Sequence, residues 1–214
     1  MKRVDFYYDF SCPYAYLAHT QIEALCERAG AELIWRPMLL GGVFQAIGAP
    51  QIPASTMSVN KARLNDLDMR RWADHFGVPL VMPPTHPNRT VLALRAALAA
   101  EEALPRASRA LFHAYWALGK NLAEPNVVRE TLDGAGLDGA TLVRRADDPI
   151  LKEALRARTD EAIALDIFGA PSFIITVPGI PRQLFWGQDR LDFVEKALGG
   201  WSAPPLLLSG GFSS

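Results

Sequence analysis

The stretch Val4-Asp5-Phe6-Tyr7-Tyr8-Asp9-Phe10-Ser11-Cys12-Pro13-Tyr14-Ala15-Tyr16-Leu17 decides how this chain is read. Its first half, Val4 to Asp9, is short, aromatic and β-branched at its start, which suits a pleated strand. Pro13 has no N–H to leave unpaired and its fixed φ suits a first helical position, so a helix starts there. Beyond it Ile22, Leu25, Cys26 and Ala29 recur at spacings of three and four, a core-facing stripe that Gly30 closes. The chain therefore opens as a strand that turns into a helix over Ser11-Cys12.

Working outward, Leu33-Ile34-Trp35-Arg36 reads as a second strand, stopped by Pro37 and followed by a flexible Gly41-Gly42. From about Val43 to Asp166 the chain turns rich in Ala, Leu, Arg and Glu, and its punctuation predicts helices. One runs from about Asn60 past Trp72 to Gly77. Four prolines between Val78 and Pro87 demand an extended loop. Asn88 is placed to cap the next helix, through Ala103, and Pro105, Pro125 and Pro149 sit where others begin. Strand character returns after Gly169-Ala170-Pro171. Ser172 to Val177 and Gln183 to Trp186 read as a hairpin around Pro178-Gly179-Ile180-Pro181. Asp189 then starts a final helix with Leu191, Phe193, Val194 and Leu198 as its buried positions.

The order β-α-β, helices, β-β-α predicts an α/β fold with a helical subdomain inserted between two strand-bearing ends that share one sheet. The boundaries read as 1–42 with 167–200 for the discontinuous α/β domain, 43–166 for the inserted helices, and 201–214 for a Gly/Ser/Pro-rich tail.

Composition narrows the function. Of 214 residues 50% are hydrophobic and 21% charged, which excludes disorder. A net charge of −1 argues against a nucleic-acid partner. No apolar run reaches the roughly 18 residues a membrane span needs, and Asp5 and Asp9 interrupt any export signal. Two cysteines make no disulfide scaffold, and the expected compartment is the cytoplasm. Cys12 and Cys26 stand 14 positions apart, roughly 20 Å along a helix, whereas bridged Cα atoms lie within about 7 Å. Ala15 occupies the place of the second cysteine in a C-x-x-C pair, so the site holds one thiol. His19, His75, His86 and His113 show no metal-ligand spacing.

Cys12 is the sharpest candidate. Unpaired N–H groups and the dipole at a helix start favour an anion, so a lowered thiol pKa is expected there. The plainer reading is a small buried residue, and position alone does not choose between the two.

The pattern Asp5-Phe6-Tyr7-Tyr8-Asp9-Phe10 with Cys12-Pro13-Tyr14-Ala15-Tyr16-Leu17 resembles the 2-hydroxychromene-2-carboxylate isomerase family. That family and the kappa-class glutathione transferases belong to the thioredoxin-fold group related to the disulfide oxidoreductase DsbA. Trp35-Arg36-Pro37, Leu40-Gly41-Gly42, Arg71-Trp72-Ala73, Gly77-Val78-Pro79, Phe168-Gly169-Ala170-Pro171 and Phe185-Trp186-Gly187-Gln188-Asp189-Arg190-Leu191 continue the resemblance in the family's order, over nearly the whole chain.

The resemblance implies a thioredoxin-like fold with a large all-helical insertion, bound glutathione, an aromatic carboxylate substrate and a homodimer. It implies a cis Pro171, with the backbone of Ala170 pairing with glutathione, and a γ-glutamyl site at Gly187, Gln188, Asp189 and Arg190. Without it, Asp189 reads as an ordinary N-cap. Lys61 is the candidate for the glycine carboxylate. Relatives carry serine directly before the proline, so Cys12 takes the catalytic position and Ser11, one residue early, is a secondary candidate. The function implied is a glutathione-dependent isomerase. The cysteine keeps open a monothiol oxidoreductase or a kappa-type glutathione transferase, and a non-catalytic binding module is the third reading.

Overall fold

Alternation along the opening strand builds the centre of the molecule, which the computed structural model describes over residues 1–202. Strand β1 (Lys2–Tyr8) leads into α1 (Pro13–Ala29), β2 (Ala31–Pro37) and α2 (Leu40–Ala46). Helices α3 (Val59–Phe76), α4 (Val91–Ala99), α5 (Leu104–Trp116), α6 (Pro125–Gly134), α7 (Gly139–Arg145) and α8 (Pro149–Ala164) follow. The chain closes with β3 (Ser172–Val177), β4 (Ile180–Trp186) and α9 (Leu191–Leu198).

The sheet runs β2-β1-β3-β4, so strands from the two ends of the chain lie side by side. Strand β1 pairs parallel with β2 and antiparallel with β3, setting Phe6 opposite Trp35 and Phe173. On the face bearing Val4, Phe6 and Tyr8, Phe6 stacks on Phe173 at 5.4 Å and Tyr8 meets Phe112 of α5 at 5.3 Å. On the other face the buried Asp5 carboxylate accepts hydrogen bonds from Arg3 and Arg36, each at 2.8 Å, so its charge is compensated. Helices α1 and α9 pack on each other and on β2 and β3 respectively, while α4 and α8 reach β2. This is an α/β thioredoxin-like fold with its helical insertion between β2 and β3.

Several local expectations change. Gly41 and Gly42 lie inside α2, not in a flexible link: a Cβ at Gly42 would sit 3.0 Å from Cγ2 of Thr159, so the glycine lets α2 approach α8. Asn88 is not the cap of α4, which starts three residues later. Its N–H donates to the Tyr115 hydroxyl at 3.0 Å, a tertiary partner that local capping rules do not foresee. The hairpin turn shrinks to Pro178-Gly179, because Val177 pairs with Ile180, and Pro181 is tolerated in the edge strand β4. Asp189 falls in a single 3₁₀ turn, Gln188–Arg190, ahead of α9. Of the expected tail, 203–214 lies outside the described residues. Among the described residues no helix is long and apolar enough to cross a membrane.

Candidate active site

Cys12 is the N-cap residue of α1, in extended geometry with φ −94° and ψ 115°. Its amide donates to the Asp9 carbonyl at 3.1 Å, closing the turn between strand and helix. Its Sγ donates to the carbonyl oxygen of Ala170 at 3.0 Å. The Ala170–Pro171 peptide is cis. The carbonyl of Pro171 accepts the N–H of Gly187 at 3.0 Å, and the turn Gln188–Arg190 packs against α1. Three segments, distant in sequence, thus meet at one end of α1.

The thiol's electrostatics reverse the expectation from helix position. Burial pushes the Cys12 thiol up to about 12, outweighing the N–H groups of Ala15 and Tyr14 that pull it down. With only 7% of its surface exposed, the residue loses more solvation than the helix end returns. At neutral pH it is a neutral thiol with a proton to donate.

Asp9 organises the junction, a role that its place in the sequence does not announce. Its Oδ1 accepts from the Ser11 amide and hydroxyl, each at 3.0 Å, and from the Thr90 hydroxyl at 2.6 Å. Its Oδ2 accepts from the Leu40 amide at 2.9 Å. Burial raises the carboxyl above the usual range while these donors draw it back. One buried side chain therefore joins the starts of α1, α2 and α4. Ser11, the secondary candidate, spends its hydroxyl on Asp9. The only signal in the sequence was an acid among aromatics, in Tyr8-Asp9-Phe10.

The remaining candidates fall around this centre. Asp189 does not act as the N-cap: its carboxylate pairs with Arg190 at 2.9 Å and stays partly exposed. Gly187 has φ +105°, and a Cβ there would run into the Asp189 carboxylate, which folds back over the turn. Gln188 is buried. Tyr14 donates to Asn65 of α3 at 2.8 Å. Its phenol is pushed up to about 12, by burial first and then by the neighbouring acidic side chains Asp68, Cys12 and Asp189. Lys61 lies on α3 one turn before Asn65, on the same face, exposed and without an ion pair among the described residues. His86 places its Nδ1 2.9 Å from the Tyr115 hydroxyl and its ring 5.1 Å from Trp116, whose indole N–H donates to the Phe10 carbonyl at 2.8 Å. Tyr16, Tyr115 and Trp116 are core residues.

Comparison with known proteins places this geometry. Residues 3–199 match the model of the DSBA-like thioredoxin domain. A 2-hydroxychromene-2-carboxylate isomerase of Sphingobium xenophagum is 30% identical over 201 residues, covering 92% of this chain and 98% of the relative. Glutathione S-transferase kappa 1 of Caenorhabditis elegans is 24% identical, covering 92% of this chain and 91% of its own length. The solved structure of a 2-hydroxychromene-2-carboxylate isomerase superposes with a TM-score of 0.78 at 27% identity, covering 92% of this chain and 95% of that one. Over residues 3–199, then, the chain belongs to the DSBA-like thioredoxin domain family, alongside its 2-hydroxychromene-2-carboxylate isomerases.

Proposed function

We propose that the protein is a glutathione-dependent isomerase acting on a 2-hydroxychromene-2-carboxylate-like aromatic compound. The observation that carries this reading is the meeting of the Cys12 thiol, the Ala170 carbonyl and the turn 187–190 at the start of α1, in a chain whose relatives bear that isomerase name. The residues suit glutathione. Because Gly187 has no Cβ, the Asp189 carboxylate folds over the turn, where it is placed to meet an ammonium. The Ala170 main chain offers strand-like pairing to a peptide backbone, and Lys61 a cation for the glycine carboxylate.

Bound glutathione would supply a thiolate that adds reversibly to an unsaturated carbon of the substrate, freeing rotation about that bond. The chain's own part is to orient the reacting groups and hold positive dipoles beside the sulfur. Cys12 suits this role as a donor, because it keeps its proton at neutral pH, and the amides of Ala15 and Tyr14 favour an anion at the same place. In the second reading, a monothiol oxidoreductase, Cys12 itself must be a thiolate, and its raised pKa counts against that.

Calorimetry with reduced glutathione, followed by an isomerisation assay with and without it, tests the proposal. Binding, and turnover that requires glutathione, is the expected result. Turnover that ignores glutathione, or no heat of binding, overturns it. Rapid stoichiometric adduct formation at Cys12 with glutathione disulfide, without isomerisation, moves the assignment to the oxidoreductase. The same reading carries a homodimer, which analytical ultracentrifugation checks.

A further inference from the structure

Phe168 and Trp186 stand out among the aromatic side chains. Phe6, Tyr8, Phe10, Phe112 and Phe173 are buried, whereas Phe168 is 46% exposed and Trp186 50%. They are not scattered surface residues: their rings touch, with centroids 5.0 Å apart at an interplanar angle of 53°. Another exposed pair, Phe193 and Trp201, differs in having the Lys196 ammonium 5.2 Å over the Phe193 ring.

Their place in the chain ties them to the site. Phe168 stands two residues before Ala170, whose carbonyl accepts the Cys12 hydrogen bond. Trp186 pairs across the sheet with Ser172 and directly precedes Gly187, whose N–H is held by Pro171. A Cβ on Gly169 would lie 2.6 Å from the Trp186 indole nitrogen, so this glycine lets the indole lie against the backbone. The indole is therefore positioned before any ligand arrives, which lowers the entropy cost of stacking on it.

Size selects the occupant. Aromatic side chains bury about 150–250 Å² each, so two half-exposed rings offer on the order of 200 Å². That falls well short of the roughly 800 Å² per partner of a stable protein interface, and it matches one fused aromatic ring. We propose that Phe168 and Trp186 form the wall on which the substrate's aromatic ring stacks, and so set the enzyme's preference for planar over non-planar carboxylates. This rests on the isomerase reading above and names the substrate-side contact of that site.

The test uses full-length protein and 1-naphthoate as an unreactive probe, with cyclohexanecarboxylate as its non-planar counterpart, in calorimetry alongside glutathione. Phe168→Ala and Trp186→Ala should each weaken naphthoate about 3- to 10-fold, the effect of one aromatic contact, and leave cyclohexanecarboxylate and glutathione affinities unchanged. Trp186→Phe should keep most of the naphthoate affinity. Phe168→Leu, which retains volume without a ring, guards against an alanine variant that fails to fold, and should show the same selective loss. Naphthoate affinity unaltered in all variants, or lost in step with glutathione affinity, overturns the proposal while leaving the isomerase reading intact. Tighter binding of an apolar cysteine-containing peptide than of naphthoate also overturns it. Wild-type protein that binds no glutathione at all defeats the isomerase reading instead.

Discussion

The Cys12 thiol donates a hydrogen bond to the carbonyl oxygen of Ala170 at 3.0 Å, joining residues 158 positions apart in the chain. The contact ties the first helix to the loop before β3. The proposed chemistry depends on that proton being available.

Replacing Cys12 separates donation from nucleophilic attack. Cys12→Ala removes the donor and should lower isomerisation roughly 10- to 100-fold, the worth of a hydrogen bond to a charged group. Cys12→Ser keeps a donor and should stay within an order of magnitude of wild type. Steady-state kinetics on both variants decides. An alanine variant as fast as wild type removes Cys12 from the mechanism.

Thiol titration checks the electrostatics. Burial raises both Cys12 and Cys26 to about 12, so both should react slowly with a thiol reagent at pH 7 in native protein and promptly once it is unfolded. In the unfolded chain these thiols ionise near 9.0, while the folded chain keeps their protons. Stability should therefore hold below about pH 9 and fall as pH rises towards 12. Urea midpoints between pH 7 and 10.5 read the slope, and a flat profile contradicts the burial argument.

At low pH the decisive group is His19, stacked on Phe112 at 4.6 Å. Burial drives its imidazole down to about 4, against the pull of the Tyr16 carbonyl. Between that value and its ordinary 6.5, the unfolded chain binds a proton that the folded chain refuses, so stability falls as pH drops through this window. The full loss is on the order of 3 kcal/mol. His19→Phe should flatten the dependence in thermal melts from pH 7 to 4, and an unchanged slope assigns it to other groups.

Gly187→Ala tests the proposed γ-glutamyl site at the turn 187–190. The backbone there is at φ +105°, and a side chain would displace the Asp189 carboxylate. Glutathione affinity should drop at least about tenfold in the folded variant, by loss of one charged contact, and the strained backbone should cost a further roughly 1–3 kcal/mol of stability, read as a lower melting temperature. Undiminished glutathione binding in the folded variant means that the turn does not hold the ligand.

Asp9→Asn disturbs the buried junction. The amide can accept from some of the four donors but presents its own N–H₂ to the rest, costing about 2–4 kcal/mol. Because Ser11 and the start of α1 lose their anchor, kcat should fall in the fraction that stays folded. Chemical denaturation together with kinetics separates the two effects, and wild-type values in both would show the hub to be dispensable.

Local pattern made much of this protein legible in its sequence. The stripe Ile22, Leu25, Cys26 with its Gly30 cap, the prolines at 105, 125 and 149, and the strand Ser172–Val177 each encode their own element, because periodicity and backbone restriction act over a few residues. The order of these elements implied one sheet shared by both chain ends, and that sheet formed. Cys12 was identifiable as the cap of α1 for the same reason.

Its chemical state was not. The helix start argued for a thiolate, but solvent exclusion by segments more than a hundred positions away makes it a neutral thiol. Asp9 looked like a strand-end acid and is a buried hub, because its partners Leu40 and Thr90 reach it only after folding. The sequence by itself determined which elements form and where Cys12 sits, since short-range sterics and apolar spacing govern both. Only the tertiary structure decided that cysteine's proton, its acceptor at Ala170 and the exposed Phe168–Trp186 pair, because desolvation and long-range contact exist only once distant segments have packed together.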